Sequence, residues 1–210
     1  MMKCLFRSPH AQVVSVLAAA AALALAAFPA ASSAALIETG ACDGSPLSQP
    51  FVRWGDSAQF KLMPGGSFEN GSPGWKLSGG AAVAGGSEPY GASGSLGSHS
   101  LYLPAGASAE SPPTCVNAAY PTFRLFARNA NLLSTVAVQV VYDEPIVGRV
   151  GLPVGAIALS TSWKPTLPML TASAIEGVLQ NGEAQVSLRF TSLTGSTSID
   201  DVYVDPRLSH

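Results

Sequence analysis

Charged side chains are scarce in this sequence of 210 residues, since Asp, Glu, Lys and Arg together make up 11% of it. Lys and Arg number 11 against 13 acidic residues, so the chain lacks the basic surface that nucleic-acid binding requires. Its three histidines show no pair at metal-binding spacing. A Gly-x-Ser-x-Gly elbow and a glycine-rich phosphate loop before a helix are missing too. These absences predict a protein that is not an enzyme.

Long hydrophobic runs are also missing, apart from one at the start of the chain. Lys3 and Arg7 precede the apolar run Val13–Ala27, and the small residues Ala31-Ser-Ser-Ala34 follow it. The run has roughly 15 residues, which is shorter than the ~20 that cross a bilayer. The order of basic, apolar and small residues therefore predicts a secretory signal peptide over 1–34 rather than a membrane anchor. We expect a secreted, extracellular chain with no membrane insertion after cleavage near Ala34.

Cysteine is rare, and only two of the three cysteines lie beyond the predicted signal peptide. In an oxidising compartment, Cys42 and Cys115 are most simply joined in a disulfide. The alternative is a catalytic thiol, which would need a nearby base. Neither His99 nor His210 lies in a recognisable catalytic motif. The cysteine count therefore favours the bridge.

Glycine and proline, by contrast, are frequent, with 21 and 16 residues. Frequent turn formers and low charge are typical of an exported all-β protein. Disorder is the competing interpretation, and a positive mean hydropathy argues against it. We predict an irregular lead-in over 35–58, in which Phe51 and Trp54 anchor the segment on the body of the domain, an antiparallel β-sandwich domain over 59–205 and a tail over 206–210.

Three segments alternate apolar and polar residues with a period of two: Thr122–Arg128, Thr135–Tyr142 and Ala184–Thr191. This period places one set of side chains on each face of a sheet. If the three strands share a sheet, the residues opposite the apolar sets form one polar surface. Its guanidinium groups would suit the carboxylate or sulfate groups of a glycan. The alternative is a solvated face without a ligand. The surface consists of Arg124, Phe126, Arg128, Gln139, Gln185 and Arg189.

Two shorter features concern local structure. The spacing of apolar residues predicts one short helix near 169–180, with an irregular loop against the sandwich edge as the alternative. The pair Gly79-Gly80 separates the apolar runs Trp75–Ser78 and Ala81–Ala84, and this arrangement predicts a hairpin.

Motifs near both ends of the chain carry a resemblance to a known family. Gly65-Gly66-Ser67-Phe68-Glu69, followed by Gly74-Trp75, looks like the first-strand motif of the galactose-binding-like jelly roll. Ser162-Trp163 looks like its mid-domain Trp, and Ile199–Val204 looks like its closing strand. The chain thus resembles carbohydrate-binding modules of bacterial glycoside hydrolases from about Gln59 to Val204. The resemblance implies a jelly roll that binds glycans without catalysis. The alternative function is a structural or adhesive exoprotein without a sugar site.

Aromatic rings can stack on sugars, but their positions differ in promise. Trp75 and Trp163 match positions that are usually core in the family, and large rings dominate protein cores generally. Tyr90 and Tyr102 flank a loop rich in Gly and Ser and are freer candidates for a ligand contact.

The resemblance also implies a structural calcium ion held by Glu69 and Asp200. Calcium takes six to eight oxygen ligands, and carboxylates are among its preferred donors. Regular alternation would place Asp200 on the inward side with Val202 and Val204, and Asp201 on the opposite side. A buried carboxylate needs a cation or several donors, so Asp200 is the better candidate. The alternative is that these carboxylates only cap turns and accept backbone hydrogen bonds.

Overall fold

A computed structural model of the chain describes residues 44–117, 122–158, 160–171 and 183–205. The predicted signal peptide, Cys42 and the tail over 206–210 lie outside the described residues. All described residues belong to one compact unit. Within them, no helix is long and apolar enough to cross a membrane.

Thirteen strands and one short 3-10 turn, Val52–Trp54, form in this part of the chain. The strands are β1 (Lys61–Leu62), β2 (Lys76–Ser78), β3 (Ala82–Gly85), β4 (His99–Leu103), β5 (Ser108–Glu110), β6 (Thr114–Asn117), β7 (Thr122–Asn129), β8 (Thr135–Glu144), β9 (Gly148–Ile157), β10 (Lys164–Pro165), β11 (Met169–Leu170), β12 (Glu183–Thr194) and β13 (Thr197–Asp205).

The strands form two antiparallel sheets. Sheet I has the order β10-β7-β13-β4-β3, with β1 also paired to β13 and β11 to β7. Sheet II has the order β2-β5-β12-β8-β9, with β6 also paired to β12. The predicted all-β antiparallel sandwich is thereby confirmed.

The main core lies between the sheets and is built from the predicted apolar sets. Phe123 and Leu125 on β7, Val138 on β8 and Leu188 on β12 are each 0% exposed. On β7 the spacing of two residues puts Phe123 and Leu125 on the same inner face, and Val138 and Leu188 face inward on β8 and β12. Trp75 belongs to the same core cluster, as predicted.

A second apolar cluster lies on the outer side of sheet I. The described part of the predicted lead-in, residues 44–58, is called the lead-in segment. It supplies Phe51 to this cluster, and Phe60, just before β1, also belongs to it. Phe51 stacks on Phe126 of β7 with ring centroids 5.4 Å apart, and it meets Tyr203 of β13 edge to face at 5.7 Å. Burying such a ring stabilises a fold by about 1.5–3 kcal/mol. The predicted anchoring role of Phe51 therefore matches the structure.

One prediction about local structure is wrong, and another is tested only at its first residues. Met169–Leu170, the start of the predicted helix, forms strand β11, and residues 172–180 lie outside the described part. The predicted hairpin does not form, because β2 belongs to sheet II and β3 to sheet I. Gly79 lies between these two strands with a φ of 65°, and a Cβ there would lie 2.9 Å from the carbonyl oxygen of Gly106. Glycine is needed because the chain passes this close to another backbone segment.

Candidate functional site

A bulge interrupts β13 at Asp200 and Asp201. The pairing register with β7 shifts there, and Asp201 has a φ of 45°. Ile199 and Val202 both face the core although they are three residues apart. The prediction that Asp200 points inward assumed unbroken alternation and is wrong. The two aspartates also do not point to opposite faces, since both interact with Glu88.

Glu88, Asp200 and Asp201 form a buried group of carboxylates, each at most 2% exposed. Oδ2 of Asp200 accepts hydrogen bonds from Oγ of Ser87 at 2.7 Å and from the backbone nitrogen of Glu88 at 2.9 Å. Burial raises the pKa of Asp200 to about 6. Burial and the neighbouring carboxylates of Asp200 and Glu88 raise the pKa of Asp201 to about 8. Among the described residues no cationic side chain forms an ion pair with these three.

Glu69 lies nearby, and its carboxylate is already hydrogen-bonded. Oε1 accepts bonds from the backbone nitrogens of Ser98 and His99, each at 2.8 Å, and Oε2 accepts one from Oγ of Ser98 at 3.0 Å. Burial acts in the opposite direction, but the hydrogen bonds from His99 and Ser98 lower the pKa of Glu69. These are the bonds that the turn-capping alternative predicts.

Gly97 lies between Glu69 and Ser87, and Ser87 links this corner to Asp200. A Cβ on Gly97 would lie 2.5 Å from Oε1 of Glu69 and 2.6 Å from Oγ of Ser87, the hydroxyl that donates to Asp200. Over the described ranges, no group of three or more His, Cys, Asp or Glu is arranged to hold a metal ion. The feature that fits a cation is the clustering of three buried carboxyl groups, Glu88, Asp200 and Asp201, because buried carboxylates are normally paired or bound to metals.

The predicted polar surface is not one surface. Arg124, Phe126 and Arg128 lie on β7 in sheet I, whereas Gln139 and Arg189 lie on β8 and β12 in sheet II. The two sets therefore occupy the opposite outer faces of the sandwich. Alternation correctly indicated which side chains point away from the core. It carried no information about which strands share a sheet.

Arg124 and Phe126 are buried under the lead-in segment. Nη1 of Arg124 lies 2.5 Å from Oδ2 of Asp56, and its Nε donates to the carbonyl oxygen of Thr166 at 2.8 Å. Its guanidinium carbon lies 4.2 Å from the ring centroid of Phe51. Phe126 is 0% exposed. These two residues hold the lead-in segment on sheet I and are not accessible to a ligand.

The outer face of sheet II carries a row of charges centred on Glu110. Lys76, Glu110, Arg189 and Gln139 pair across four neighbouring strands. Glu110 accepts hydrogen bonds from Nε and Nη2 of Arg189 at 2.9 and 2.7 Å, and it also pairs with Arg149. Burial works against ionisation, but the bond from Arg189 and the charges of Arg149, Arg189 and Lys76 lower the pKa of Glu110. Arg189 is therefore already paired.

Arg128, the remaining predicted arginine, lines a cleft of about 330 Å³ on the outer side of sheet I. We call it the Arg128 cleft. It lies beside the β7–β8 and β12–β13 turns. Its lining residues are Ala84, Gly85, Tyr102, Arg128, Asn129, Ala130, Thr161, Ser196, Thr197 and Ser198.

One cross-strand row forms the floor of the Arg128 cleft. Ser198 on β13 pairs with Arg128 on β7 and with Tyr102 on β4. Tyr102 is 38% exposed, and the guanidinium carbon of Arg128 lies 5.3 Å from the ring centroid of Trp163. Tyr102 is the candidate that its place beside the Gly/Ser loop predicts. Ser198 carried no sequence signal, because its place in the cleft depends on the partners of β13.

No family model and no curated protein matches the chain. Solved structures of similar fold include the enzymatically active domain of bacteriophage CBA120 tailspike protein 4, with 14% identity, 68% of this chain covered and a TM-score of 0.47. The match spans 21% of the tailspike chain.

Two carbohydrate-binding modules are also similar in fold. The CBM22-1 xylan-binding domain of Paenibacillus barcinonensis Xyn10C shows 14% identity, covers 68% of this chain and 93% of its own, and has a TM-score of 0.47. TmCBM61, solved with β-1,4-galactotriose, shows 15% identity, with 68% and 96% covered and a TM-score of 0.40.

Proposed function

We propose that this protein is a secreted, non-catalytic module that binds an extracellular or cell-surface glycan in the Arg128 cleft. The observation that carries the proposal is the cleft itself, where the exposed ring of Tyr102 lies in one row with Ser198 and Arg128. Its volume of about 330 Å³ falls in the range of ligand pockets, which starts near 300 Å³. A ring beside hydroxyl and guanidinium donors suits a sugar, because a sugar has apolar ring faces bordered by hydroxyl groups.

The chemistry of the cleft supports binding rather than hydrolysis. Most glycosidases flank the scissile bond with two carboxylates. Among the described residues that line the cleft, none is Asp or Glu. Glu88, Asp200 and Asp201 are each at most 2% exposed, and the backbone nitrogen of Glu88 donates a hydrogen bond to Asp200. Because they are buried, they do not present a pair of carboxylates to a polysaccharide.

The test of this proposal is a glycan array followed by titration of the sugar that binds best. Tyr102→Ala should weaken binding about tenfold or more, which corresponds to about 1.4 kcal/mol, because it removes the stacking ring. Tyr102→Phe is the matched control, since it keeps the ring. Both variants should keep the wild-type melting temperature, because exposed positions contribute little to stability. An array without binding, or unchanged binding by Tyr102→Ala, would refute the proposal.

One observation favours the alternative of a structural or adhesive exoprotein. Leu132 and Leu133 in the β7–β8 turn are 78% and 82% exposed, and Ile146 and Val147 in the β8–β9 turn are 90% and 71% exposed. The two pairs lie at opposite ends of β8 and form no single patch, but each pair of adjacent exposed apolar side chains suits a protein contact. Sedimentation analysis separates the functions: concentration-dependent association that Leu133→Ser abolishes, with a blank glycan array, supports the alternative.

Export and the disulfide complete the proposal. The sequence of the first 34 residues supports secretion, and Cys115 lies buried on β6, 5% exposed. Mass spectrometry of the secreted protein without reduction should find an N-terminus near Ala35 and a linked pair of peptides containing Cys42 and Cys115. Two thiols that alkylate in the native protein would contradict the bridge.

A structural calcium ion also remains a proposal, with Glu69 and Asp200 as its ligands. The link from Glu69 past Gly97 and Ser87 to Asp200, and the buried cluster of carboxylates at Glu88, Asp200 and Asp201, support it. Bound calcium would supply positive charge to this corner of the sandwich and would have no part in glycan chemistry.

A further inference from the structure

The three arginines of the predicted surface differ in what their guanidinium groups contact. Arg124 pairs with Asp56, and Arg189 pairs with Glu110. Arg128 lies against the ring of Trp163 and, within the described part of the chain, has no carboxylate and no hydrogen-bond acceptor as a partner. Arg128 is also exposed. Of these three arginines, Arg128 is therefore the one whose guanidinium N–H groups remain available to a ligand.

The Arg128 cleft thus contains a positive charge that its own walls do not balance. The described lining residues include no Asp or Glu and no cation other than Arg128. The guanidinium carbon lies 5.3 Å from the Trp163 ring centroid, and its N–H groups donate to no acceptor among the described residues. These donors fit carboxylate and sulfate oxygens in a bidentate arrangement, and such charged hydrogen bonds are about twice as strong as neutral ones.

The spacing of the row sets where a charged group would lie. Neighbouring strands are about 4.8 Å apart, so β4 and β7, with β13 between them, are separated by about 10 Å. A sugar stacked on Tyr102 extends over Ser198, the residue between the two strands. A charged substituent on that sugar, or the next sugar in the chain, then reaches Arg128.

We propose that the glycan bound in the cleft is anionic, carrying the carboxylate of a uronic acid or a sulfate ester, and that Arg128 is the residue that selects it. This inference rests on the proposed function of the cleft. Arg189 and Arg149 do not serve this role, because Glu110 already occupies them.

The experiment uses three trisaccharide probes of equal length: galactose, galacturonic acid and sulfated galactose. Each is titrated against the full exported chain, Arg128→Gln, Arg128→Lys and a matched control, Arg53→Gln. Arg53 suits the control because it too is exposed and lies against aromatic rings, 5.8 Å from the centroid of Trp54 and 5.2 Å from that of Tyr90. Arg53 contributes the same charge outside the cleft.

We expect the wild type to prefer at least one anionic probe over the galactose probe by tenfold or more, and this preference should weaken as salt is added. Arg128→Gln should remove the preference, Arg128→Lys should retain part of it and Arg53→Gln should retain all of it. Which anionic probe binds distinguishes carboxylate from sulfate recognition.

Two results would overturn the inference in distinguishable ways. If the galactose probe binds as well as both anionic probes, and Arg128→Gln does not change this while Tyr102→Ala abolishes it, the cleft binds neutral sugars. The proposed function then stands and the inference falls. If neither the probes nor any sugar on an array binds the wild type, the proposed function falls, and the inference falls with it.

Discussion

The two outer faces of the sandwich begin from the same sequence pattern and end in different environments. In β7 the residues opposite the core are Arg124, Phe126 and Arg128, and in β12 Arg189 takes the equivalent place. The lead-in segment covers most of this set on sheet I, so Arg124 is 5% exposed. On sheet II the side chain of Arg189 remains 33% exposed. A polar-looking strand face is therefore solvated only where no other segment of the chain covers it.

The composition of the two faces explains which one is covered. The outer face of sheet I carries the large rings of Phe126 and Tyr203, which need cover from water. The outer face of sheet II carries small polar side chains such as Ser187 and Thr191 around its charged row. Phe126, between two arginines, was the one residue of the predicted surface that hinted at this difference.

The largest effect that tests the comparison is expected from Phe126→Ala. This change removes a ring that stacks on Phe51 and should cost about 3–5 kcal/mol of unfolding free energy. Thr191→Ala on sheet II should cost under about 1 kcal/mol, because its position is only partly buried. Urea unfolding measures both. Equal costs would show that the two faces do not differ in burial.

The next effect concerns the ion pairs of the two faces. Asp56→Ala leaves the buried guanidinium of Arg124 without its carboxylate and should cost about 2–3 kcal/mol, less than a fully buried pair because the Asp56 side chain is 22% exposed. Lys76→Ala on sheet II should cost at most about 1 kcal/mol, because the Lys76 side chain is 71% exposed.

A double variant provides the control for Asp56. Arg124→Met combined with Asp56→Ala removes both charges and should recover much of the lost stability, as replacement of buried pairs by apolar groups often does. If the stability does not recover, Asp56 contributes through its other hydrogen bond, which Oδ1 accepts from the backbone nitrogen of Ala58.

Sequence reasoning succeeded where the determinants are local. The alternation of Phe123 and Leu125 with Arg124 is a property of one strand, and the anchoring of Phe51 follows from an aromatic residue among turn formers. The error at Asp200 arose because one bulge reverses the alternation, and no residue type marks a bulge uniquely.

The candidate site was only partly predictable for a different reason. Arg128 and Tyr102 were both singled out, but separately, because 25 positions separate them in the chain and only the order β7-β13-β4 brings them into one row. Gln139 was joined to Arg128 in error for the same reason. Which strands share a sheet depends on contacts between distant segments, and the period of one strand does not encode them.

The carboxylates of the two faces provide a further comparison, since calcium is proposed for one of them. If calcium binds at Glu69 and Asp200, EDTA should lower stability by about 2.7 kcal/mol relative to protein in calcium at a hundredfold excess over Kd. Asp200→Ala or Glu69→Ala should abolish this sensitivity. Thermal melts of stripped and reloaded protein measure the effect, and identical melts would remove calcium from the proposal.

In the metal-free protein the two groups of carboxylates should respond to pH in opposite directions. The folded pKa of Asp201 is raised from 3.8 to about 8. The contribution of its carboxyl group to the stability of the folded protein is therefore most favourable below about pH 4 and is lost as the pH rises towards 8. The folded pKa of Glu110 is lowered. Its carboxylate therefore stabilises the folded protein above the ordinary pKa of a glutamate, and this stabilisation is lost as the pH falls below it. At pH 8, Asp201→Asn should therefore stabilise the protein and Glu110→Gln should destabilise it. Shifts of the same sign would contradict the contrast.

The smallest effects are expected from Gln139→Ala and Arg189→Gln on the outer face of sheet II. Arg189 is partly exposed, and Glu110 keeps Arg149 and Lys76 as partners, so each variant should change stability by under about 1 kcal/mol. Neither should change glycan affinity, because both residues lie on the opposite side of the sandwich from the Arg128 cleft. Titration of the same glycan against these variants and Arg128→Gln compares the two faces directly. If Arg189→Gln abolishes binding while Arg128→Gln retains it, the glycan binds the open row of sheet II, and the cleft beside the covered face is not the site.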